Sequence, residues 1–322
     1  MMPKISVISA SFNTGAFLRD TLASIARQSS RDYEHIVVDG ASTDGTVEEL
    51  QRHPEICWIS EPDSGFPEAF KKGVIMARGE YIIQCSISDG FLDRDWFARC
   101  IKVLDADLAV SLVWGLPQSM SEDGVLGKIS YERFLSSPPP AREHFIYYWL
   151  FSSFWFPEGN FCVRKRVFQE CFPVITRDRG GDQDLWLEFN NIFHRRGYLS
   201  AFIPMVANYG RAHAGARSNN EAQSGIAEVR LQKYRSTVAA YRHALFCGAT
   251  SHCFRDGQGV VMDLSFSRAK LIFLYADPRR IYSLMAGALR LRCKRFLKRR
   301  MVLRCMPSFL RKKIAARLRI GI

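Results

Sequence analysis

Short apolar runs alternate with amphipathic segments through the first third of the chain. Residues 5–10 form a β-type run, and the apolar side chains that follow it recur at helical spacing as far as residue 26. The same alternation predicts strands at 5–10, 35–39, 57–60, 81–85 and 108–114, with helices at 17–26, 47–52, 67–78 and 93–105. Strands that alternate with helices predict an α/β fold with an open, mostly parallel sheet, whose ligands bind outside the carboxyl ends of the strands.

The alternation stops after Gly115, and three consecutive prolines at 138–140 mark a loop before an aromatic segment, Phe145 to Phe156. This segment has 12 residues, whereas a helix that spans a bilayer needs about 20. Two interpretations remain: a buried helix beside the sheet, or a contact with a lipid-linked substrate or the membrane.

Composition limits the class of protein. The chain has 322 residues, 47% of them apolar, which is enough to bury a large core, and no apolar run is long enough to span a membrane. The N-terminal residues lack a signal-peptide pattern, and the nine cysteines form no CxxC pair. We therefore expect a cytoplasmic protein with reduced cysteines.

The net charge of +13 comes from the C-terminal segment. Residues 278–322 contain 15 Lys and Arg and no Asp or Glu, which leaves 30 basic and 32 acidic residues in the rest of the chain. Apolar residues recur at helical spacing from Leu289 to Met301 between basic ones, the pattern of a basic amphipathic helix. Such a helix binds anionic membranes, packs against the protein or another subunit, or binds nucleic acid; we favour the membrane and expect no nucleic-acid partner.

Polar residues follow the first two predicted strands. Residues 9–13 (SASFN) end the first strand, and Asp39 ends the second within VVDGASTDGT. A carboxylate in this position can accept the imide N–H of a pyrimidine base or the hydroxyls of a ribose. Asp44 lies in a turn before a helix, where a structural capping role is the simpler interpretation.

Further motifs follow in order: SEPDSG at 60–65, KKG at 71–73 and ARGEY at 77–81. Together, these segments resemble the family 2 inverting glycosyltransferases. The resemblance implies a GT-A fold, a Rossmann-like sheet flanked by helices, over residues 1–220, with a nucleotide-binding half at 1–115 and an acceptor half at 116–220. A helical extension at 221–277 and the basic tail at 278–322 would follow. Carried over by position, the resemblance implies that the donor nucleotide binds to Ala10, Ser11, Asp39, Lys72, Ser88 and Asp89.

Members of this family bind a divalent cation, Mg²⁺ or Mn²⁺, through an Asp-x-Asp or Asp-Asp motif that follows the fourth strand. The cation neutralises charge on the departing nucleoside diphosphate. Two registers are open here: one places Ser88 and Asp89 on the Asp-Asp pair, and the other places Ser88-Asp89-Gly90 on Ser-Asp-Asp. Both keep Asp89 at an acidic position, so Asp89 is the expected metal ligand. The missing second carboxylate leaves the dependence on metal open.

A second group of polar residues lies downstream, at Glu158, Asn160 and the segment GDQDLWL at 181–187. An inverting transferase needs a carboxylate that removes the proton of the acceptor hydroxyl. The resemblance places Asp182 at this catalytic base position and Glu158 and Asn160 on the acceptor side. Asp184 is interpreted as the first residue of a helix. His213, in a segment similar to the family's FRxHxGSxS, is a candidate for metal or phosphate contact.

These features predict an inverting glycosyltransferase that moves a sugar from a nucleotide-diphosphate donor to a hydroxyl of a glycan or lipid-linked acceptor. The family mostly builds surface polysaccharides and lipid-linked glycans of bacteria, so we expect a peripheral enzyme at the inner face of the membrane. A nucleotidyltransferase would carry a glycine-rich basic loop after the first strand, which residues 9–15 lack. A non-catalytic sugar-nucleotide-binding or scaffold subunit is the alternative from another class.

Overall fold

The computed structural model describes residues 2–140, 142, 145–157, 159–173, 184–216, 225–246, 249–255 and 261–264. All of them belong to the first of the two units into which the chain divides, Met1–Phe266. The basic tail at 278–322 therefore lies outside the described residues.

The N-terminal half of the sheet is parallel. Its strands are β1 (Ile5–Ser11), β2 (Tyr33–Asp39), β3 (Cys57–Ser60) and β4 (Tyr81–Gln84), in the spatial order β3-β2-β1-β4. The intervening helices are α1 (Gly15–Ala26), α2 (Thr46–Leu50) and α3 (Phe66–Met76). The register pairs Ser11 with Asp39 and Asp39 with Ser60, so the carboxyl ends of three strands lie side by side. The predicted alternation of strands and helices is confirmed.

The remaining strands extend the same sheet in the order β4-β8-β6-β9-β5. The central strand β8 is antiparallel to both of its neighbours, β4 and β6, whereas β6 and β9 are parallel. The elements of this half are β5 (Gly90–Phe91), α4 (Trp96–Ala106), β6 (Val110–Met120), β7 (Leu126–Ile129), α5 (Arg133–Ser136), α6 (Phe145–Ser152), β8 (Phe161–Arg164), α7 (Lys165–Cys171), α8 (Leu185–Arg195) and β9 (Leu199–Arg211).

Alternate side chains of the strands bury opposite faces of the sheet. On one face, Ile8 and Ile82 pack with Phe70 of α3 and with the aromatic residues around Trp114. On the other, Val7 and Ile83 pack with α4. Successive side chains of a strand point to opposite faces of the sheet, and here both faces are buried. Each strand is therefore apolar at nearly every position, which explains the nearly continuous apolar runs in the sequence.

The aromatic segment is a buried helix, as the first of the two interpretations proposed. In α6, the side chains of Phe145, Trp149 and Leu150 are at most 4% exposed. The rings of Phe154 and Phe156, which follow the helix, pack against Trp114. This aromatic layer covers the sheet on the side of α3.

The described part of the extension is not wholly helical. Helix α9 (Ile226–Phe246) is followed by two antiparallel strands, β10 (His252–Arg255) and β11 (Val261–Leu264), which corrects the expectation of helix throughout 221–277. Tyr234 of α9 accepts a hydrogen bond from Trp149 Nε1 and donates one to Phe154 O, each 2.8 Å long. Within the described part of the chain, no helix is long and apolar enough to cross a membrane.

Candidate functional site

The turns that follow the parallel strands are joined to one another by backbone hydrogen bonds. Gly40 N donates to Ser11 O (2.9 Å), Glu61 N to Asp39 O (3.0 Å) and Ile87 N to Ala10 O (3.4 Å). Within these turns, Asn13, Ala41 and Ser88 have positive φ angles of 51°, 63° and 108°. Non-glycine residues in this region are strained and concentrate at functional sites. This edge of the sheet is therefore the candidate site that the strand order predicted.

The first turn exposes an aromatic ring. Ser11 is buried, with its Oγ 3.0 Å from Thr14 Oγ1, and Ala10 is half-buried. Phe12, the next residue, is 63% exposed. Phe12 was not singled out from the sequence, because periodicity does not show which apolar residue at a strand end is exposed to solvent.

Asp39 lies at the strand end as predicted, but its side chain is fully buried. The carboxylate accepts hydrogen bonds from Ser42 N (2.8 Å), Ser42 Oγ and Ser60 Oγ (2.7 Å). A carboxylate has about four acceptor positions, and protein donors occupy three of them here. Asp39 thus holds the turn after β2 against the end of β3, and its contact with the nucleoside stays a prediction.

The structural interpretation of Asp44 is confirmed. Its Oδ2 accepts from Gly15 N at the start of α1 (2.9 Å), and its Oδ1 accepts from Thr46 N at the start of α2 (3.2 Å). Burial raises the pKa of Asp44, but the hydrogen bonds from Thr46 and Gly15 outweigh burial and lower it overall. One carboxylate therefore caps two helices.

Asp89, the expected metal ligand, retains one oxygen without a protein donor. Its Oδ1 accepts from Arg211 N (3.0 Å), while none of the hydrogen bonds among the described residues reaches its Oδ2. Burial raises the pKa of Asp89 to about 7, against the opposing effects of the Arg211 hydrogen bond and charge. The side chain of Ser88 is buried beside it. Asp89 can thus offer an oxygen to a ligand at this edge.

Arg211, which follows Asp89 by 122 residues, donates its backbone N–H to the Asp89 carboxylate. The buried positive charge of its side chain also acts on Asp89. Its side chain is 7% exposed and donates to Asp20 Oδ2 (2.6 Å), Ser88 O (3.2 Å) and Glu122 O (3.0 Å). The guanidinium lies 5.2 Å from the ring centre of Phe17, which in turn lies 4.7 Å from that of His213. The sequence placed His213 in this segment but did not indicate that Arg211 contacts Asp89; the role of His213 stays a prediction.

Gly90 stands at the second acidic position of the family motif in one of the two registers. A Cβ atom at this position would lie 2.5 Å from Tyr209 Oη and 2.6 Å from Ser24 Oγ, so a side chain here would require these neighbours to shift. Within the part of the chain that the structure describes, no three His, Cys, Asp or Glu residues form a metal-binding group. A cation that also takes oxygens from a diphosphate and water fits these residues, since Mg²⁺ commonly uses only one or two carboxylates.

Lys72 is occupied by ion pairs. Its Nζ lies 2.8 Å from Glu61 Oε1 and 3.4 Å from Glu68 Oε1. The hydrogen bond to Glu61 is the main cause of a raised pKa for Lys72. None of its contacts with described residues involves Asp89, so its role in phosphate binding stays a prediction.

On the acceptor side, Glu158 and Asp182 lie outside the described residues. Asn160 is fully buried and donates through Nδ2 to Gly115 O. Its Oδ1 has no hydrogen-bond partner among the described residues, and the same is true of Gln84 Oε1 and Asn208 Oδ1. A Cβ atom on Gly159 would lie 3.1 Å from Asn208 Nδ2 and 3.5 Å from Gln84 Oε1. Unsatisfied buried amides are rare, and the sequence reasoning found only Asn160 of these three.

Asp184 is the N-cap of α8, as interpreted from the sequence. It accepts from Trp186 N and Leu187 N, each at 2.9 Å. Arg230 of α9 lies 3.9 Å from its other oxygen. Both carboxylate oxygens of Asp184 therefore have partners within the protein.

Residues 6–172 match the family described as Glycosyl transferase family 2. This match covers more than half of the chain, which therefore belongs to that family. The fold agrees with this assignment, because the sheet and its flanking helices have the GT-A arrangement.

Individual relatives share only part of their sequence with this chain. An uncharacterized glycosyltransferase of Mycobacterium tuberculosis is 35% identical over 141 residues, which are 42% of this chain and 54% of that protein. The chain thus spans about half the length of the first curated relatives it matches. Two solved structures share the fold with TM-scores of 0.51. These are Staphylococcus aureus TarS 1-349 in complex with UDP-GlcNAc (15% identity, covering 75% of this chain and 72% of that one) and the mannosyltransferase PcManGT of Pyrobaculum calidifontis with GDP-Man and Mn²⁺ (18% identity, 89% and 85%).

Proposed function

We propose that this protein transfers a sugar, with inversion, from a nucleotide-diphosphate donor to a hydroxyl of a glycan or lipid-linked acceptor in surface polysaccharide biosynthesis. The observation that carries the proposal is the position of Asp89. Its Oδ1 accepts from the backbone N–H of Arg211, whose guanidinium donates to Ser88 O, and none of the hydrogen bonds among the described residues reaches its Oδ2. The residue lies at the edge of the sheet where the turns after β1, β2 and β4 meet. The binding of nucleotide sugars by TarS and PcManGT, which share the fold, supports a donor of this class.

On the leaving side, Asp89 would hold a divalent cation together with the donor phosphates. The cation would neutralise charge on the departing diphosphate, and PcManGT, solved in complex with GDP-Man and Mn²⁺, supports its use. Arg211 holds the Asp89 loop through Ser88 O and keeps one positive charge next to it. The segment thus supplies one carboxylate where family members commonly supply two.

On the attacking side, Asp182 is the proposed general base. The carboxylate of Asp184 is engaged by two backbone amides and by Arg230, which leaves Asp182 as the carboxylate of this segment for the acceptor hydroxyl. Asn160, with Glu158, would bind the acceptor.

The basic tail would hold the enzyme at the inner face of the membrane. Residues 278–322 carry 15 basic and no acidic residues, and an amphipathic helix of this kind gains about 1 kcal/mol per basic residue near an anionic surface. A lipid-linked acceptor would be presented at the same surface. We do not assign a nucleic-acid partner, because the excess charge is confined to this segment.

A screen of nucleotide sugars tests the proposal. The full-length protein is incubated with UDP-, GDP-, CDP- and ADP-sugars, with and without Mg²⁺ or Mn²⁺, and release of nucleoside diphosphate is measured. We expect slow hydrolysis of the donors of one nucleotide, stimulated by the cation. Absence of hydrolysis and of transfer to any glycan acceptor, under all conditions, would contradict a catalytic role.

The single acidic residue of the Ser88-Asp89-Gly90 segment favours one alternative, a non-catalytic subunit that binds sugar nucleotides. The same screen distinguishes the catalytic from the non-catalytic function. A non-catalytic subunit would bind one nucleotide sugar in calorimetry and return it intact.

A further inference from the structure

We propose that His35 and Ser9 position the loop at 85–89 through a buried chain of hydrogen bonds. This loop presents Asp89, so the inference rests on the proposed cation site and adds two positioning residues that act on it from inside the sheet. His35 Nε2 lies 2.9 Å from Ser9 Oγ, and Ser9 Oγ donates to Cys85 O. All three residues of the chain are at most 5% exposed.

The hydrogen bonds of this chain run in one direction. A serine hydroxyl has one proton, and Ser9 donates it to Cys85 O, because a carbonyl oxygen can only accept. His35 is therefore the donor to Ser9 Oγ, and its ring proton lies on Nε2. Burial lowers the pKa of His35 to about 3, so the ring is neutral at neutral pH and carries one proton. The chemistry of the three groups thus fixes the order from His35 through Ser9 to Cys85 O.

The last acceptor of the chain, Cys85 O, belongs to the peptide unit from which the loop leaves the sheet just after β4. A turn follows at once, since Asp89 N donates to Ser86 O (3.0 Å). A peptide unit is planar, so a hydrogen bond to its oxygen holds the whole unit, including the N–H of Ser86. The chain from His35 therefore fixes the direction in which the turn that ends at Asp89 leaves the sheet.

Helix α1 holds the remainder of the loop. The side chain of Ile87 is buried in a cluster with apolar residues of α1. Thr21 Oγ1 donates to Asp89 O (2.7 Å) and accepts from Ser88 N (3.1 Å). The φ angle of Ser88 is 108°, a conformation that persists only where the surrounding contacts enforce it. The loop is thus fixed at both ends, and the His35–Ser9 chain supplies the contact at its start.

A site with a single acidic residue depends on how accurately that residue is placed. Asp89 is the one acidic residue of the Ser88-Asp89-Gly90 segment, so no neighbour within the segment compensates for a shift of its carboxylate. Buried hydrogen-bond chains rigidify the segments that they join. The expected result of breaking the chain is therefore weaker cation binding by an otherwise folded protein.

Binding of Mn²⁺ tests this inference without turnover. Free Mn²⁺ is measured by electron paramagnetic resonance during titration of the full-length protein, with UDP present and, in parallel, with GDP. Ser9→Ala removes the link between His35 and Cys85 O. We expect it to lower Mn²⁺ affinity about threefold to tenfold, the effect of losing one hydrogen bond.

Ser6→Ala is the matched control. Ser6 lies on the same strand and is as fully buried as Ser9, but it is near the opposite end of β1. Its Oγ donates to Glu34 Oε1 (2.6 Å) and accepts from Gly79 N (2.8 Å). Each substitution therefore removes two hydrogen bonds, and both variants should melt below the wild type. Only Ser9→Ala should lose Mn²⁺ affinity.

His35 gives a second measurement. His35→Leu removes the donor and should weaken Mn²⁺ binding, whereas His35→Gln keeps an N–H for Ser9 Oγ and should retain it. Ser9→Ala combined with His35→Leu should bind no worse than Ser9→Ala alone, because the chain is already broken at Ser9. In donor hydrolysis, Ser9→Ala should raise the Mn²⁺ concentration that gives half the maximal rate and leave the rate at saturating Mn²⁺ near that of the wild type.

The outcomes separate this inference from the proposed function. Unchanged Mn²⁺ affinity in Ser9→Ala, or equal losses in Ser9→Ala and Ser6→Ala, would overturn positioning by this chain and leave the cation site intact. Equal losses in His35→Leu and His35→Gln would overturn the role of His35. If the wild-type protein binds Mn²⁺ with neither nucleotide, the cation site and this inference fail together. Absence of sugar transfer by a protein that shows the expected Mn²⁺ binding would overturn the proposed function alone.

Discussion

Replacing Gly90 by alanine adds a methyl group at a point where the structure has no space. The new Cβ would lie 2.5 Å from Tyr209 Oη and 2.6 Å from Ser24 Oγ. Ser24 cannot withdraw without loss, because its Oγ donates to Thr21 O and accepts from Phe91 N. Overpacking of this kind costs about 1–3 kcal/mol, and a broken hydrogen bond adds about 0.5–1.5 kcal/mol.

We therefore expect Gly90→Ala to lower the melting temperature by several degrees, since about 1 kcal/mol corresponds to about 2–4 °C in a domain of 150–250 residues. Gly90→Asp, which adds a carboxylate next to Asp89, should destabilise at least as much and should not strengthen cation-dependent donor binding. Calorimetric melting and donor titration with Mn²⁺ measure the two effects. Combining Gly90→Ala with Tyr209→Phe should recover part of the loss, because the nearer of the two oxygens is removed.

Gly210→Ala is the control, since a Cβ atom there would meet only Asp89 Oδ1, at 3.9 Å. It should melt close to the wild type. The steric reasoning would be refuted if Gly90→Ala melted with the wild type, or if Gly90→Asp were stable and bound the donor and Mn²⁺ more tightly.

Three further predictions concern the chemistry, the pH response and the tail. Asp182→Asn, which removes basicity but keeps shape, should lower the transfer rate about 10²-fold or more at nearly unchanged donor affinity; normal transfer in steady-state kinetics would exclude Asp182 as the base. Burial lowers the pKa of His35 from 6.5 to about 3, so the unfolded chain takes up the proton first as the pH falls. The free energy of unfolding should therefore decline between about pH 6.5 and 3 by up to about 1.4 kcal/mol per pH unit from this residue. His35→Gln should remove that part of the slope in urea unfolding, and equal slopes would contradict the assignment. Ending the chain at Asp277 should abolish flotation with anionic vesicles, whereas failure of the full-length protein to bind them at low salt would rule out anchoring by 278–322.

Local features were predictable from the sequence. Apart from the two-residue strand β5, the strands and helices as far as residue 106 follow the predicted alternation, and the strand at 57–60 has the predicted bounds. The capping roles of Asp44 and Asp184 were also predictable, because a cap bonds to backbone amides two or three residues away. The family motifs lie mainly in these local segments, which is why the fold and the edge of the sheet that bears the site could be inferred.

Only the tertiary structure decided which side chains at that edge are free to bind. Asp39 and Asp63 both follow strands, yet one is enclosed by Ser42 and Ser60 while the other retains an open oxygen. Arg211 meets Asp89 across 122 residues of chain. Periodicity and spacing report how a segment folds and that one face of it is covered. They do not show which distant segment packs on that face. At this site, that packing determines whether a carboxylate holds the protein together or faces a ligand.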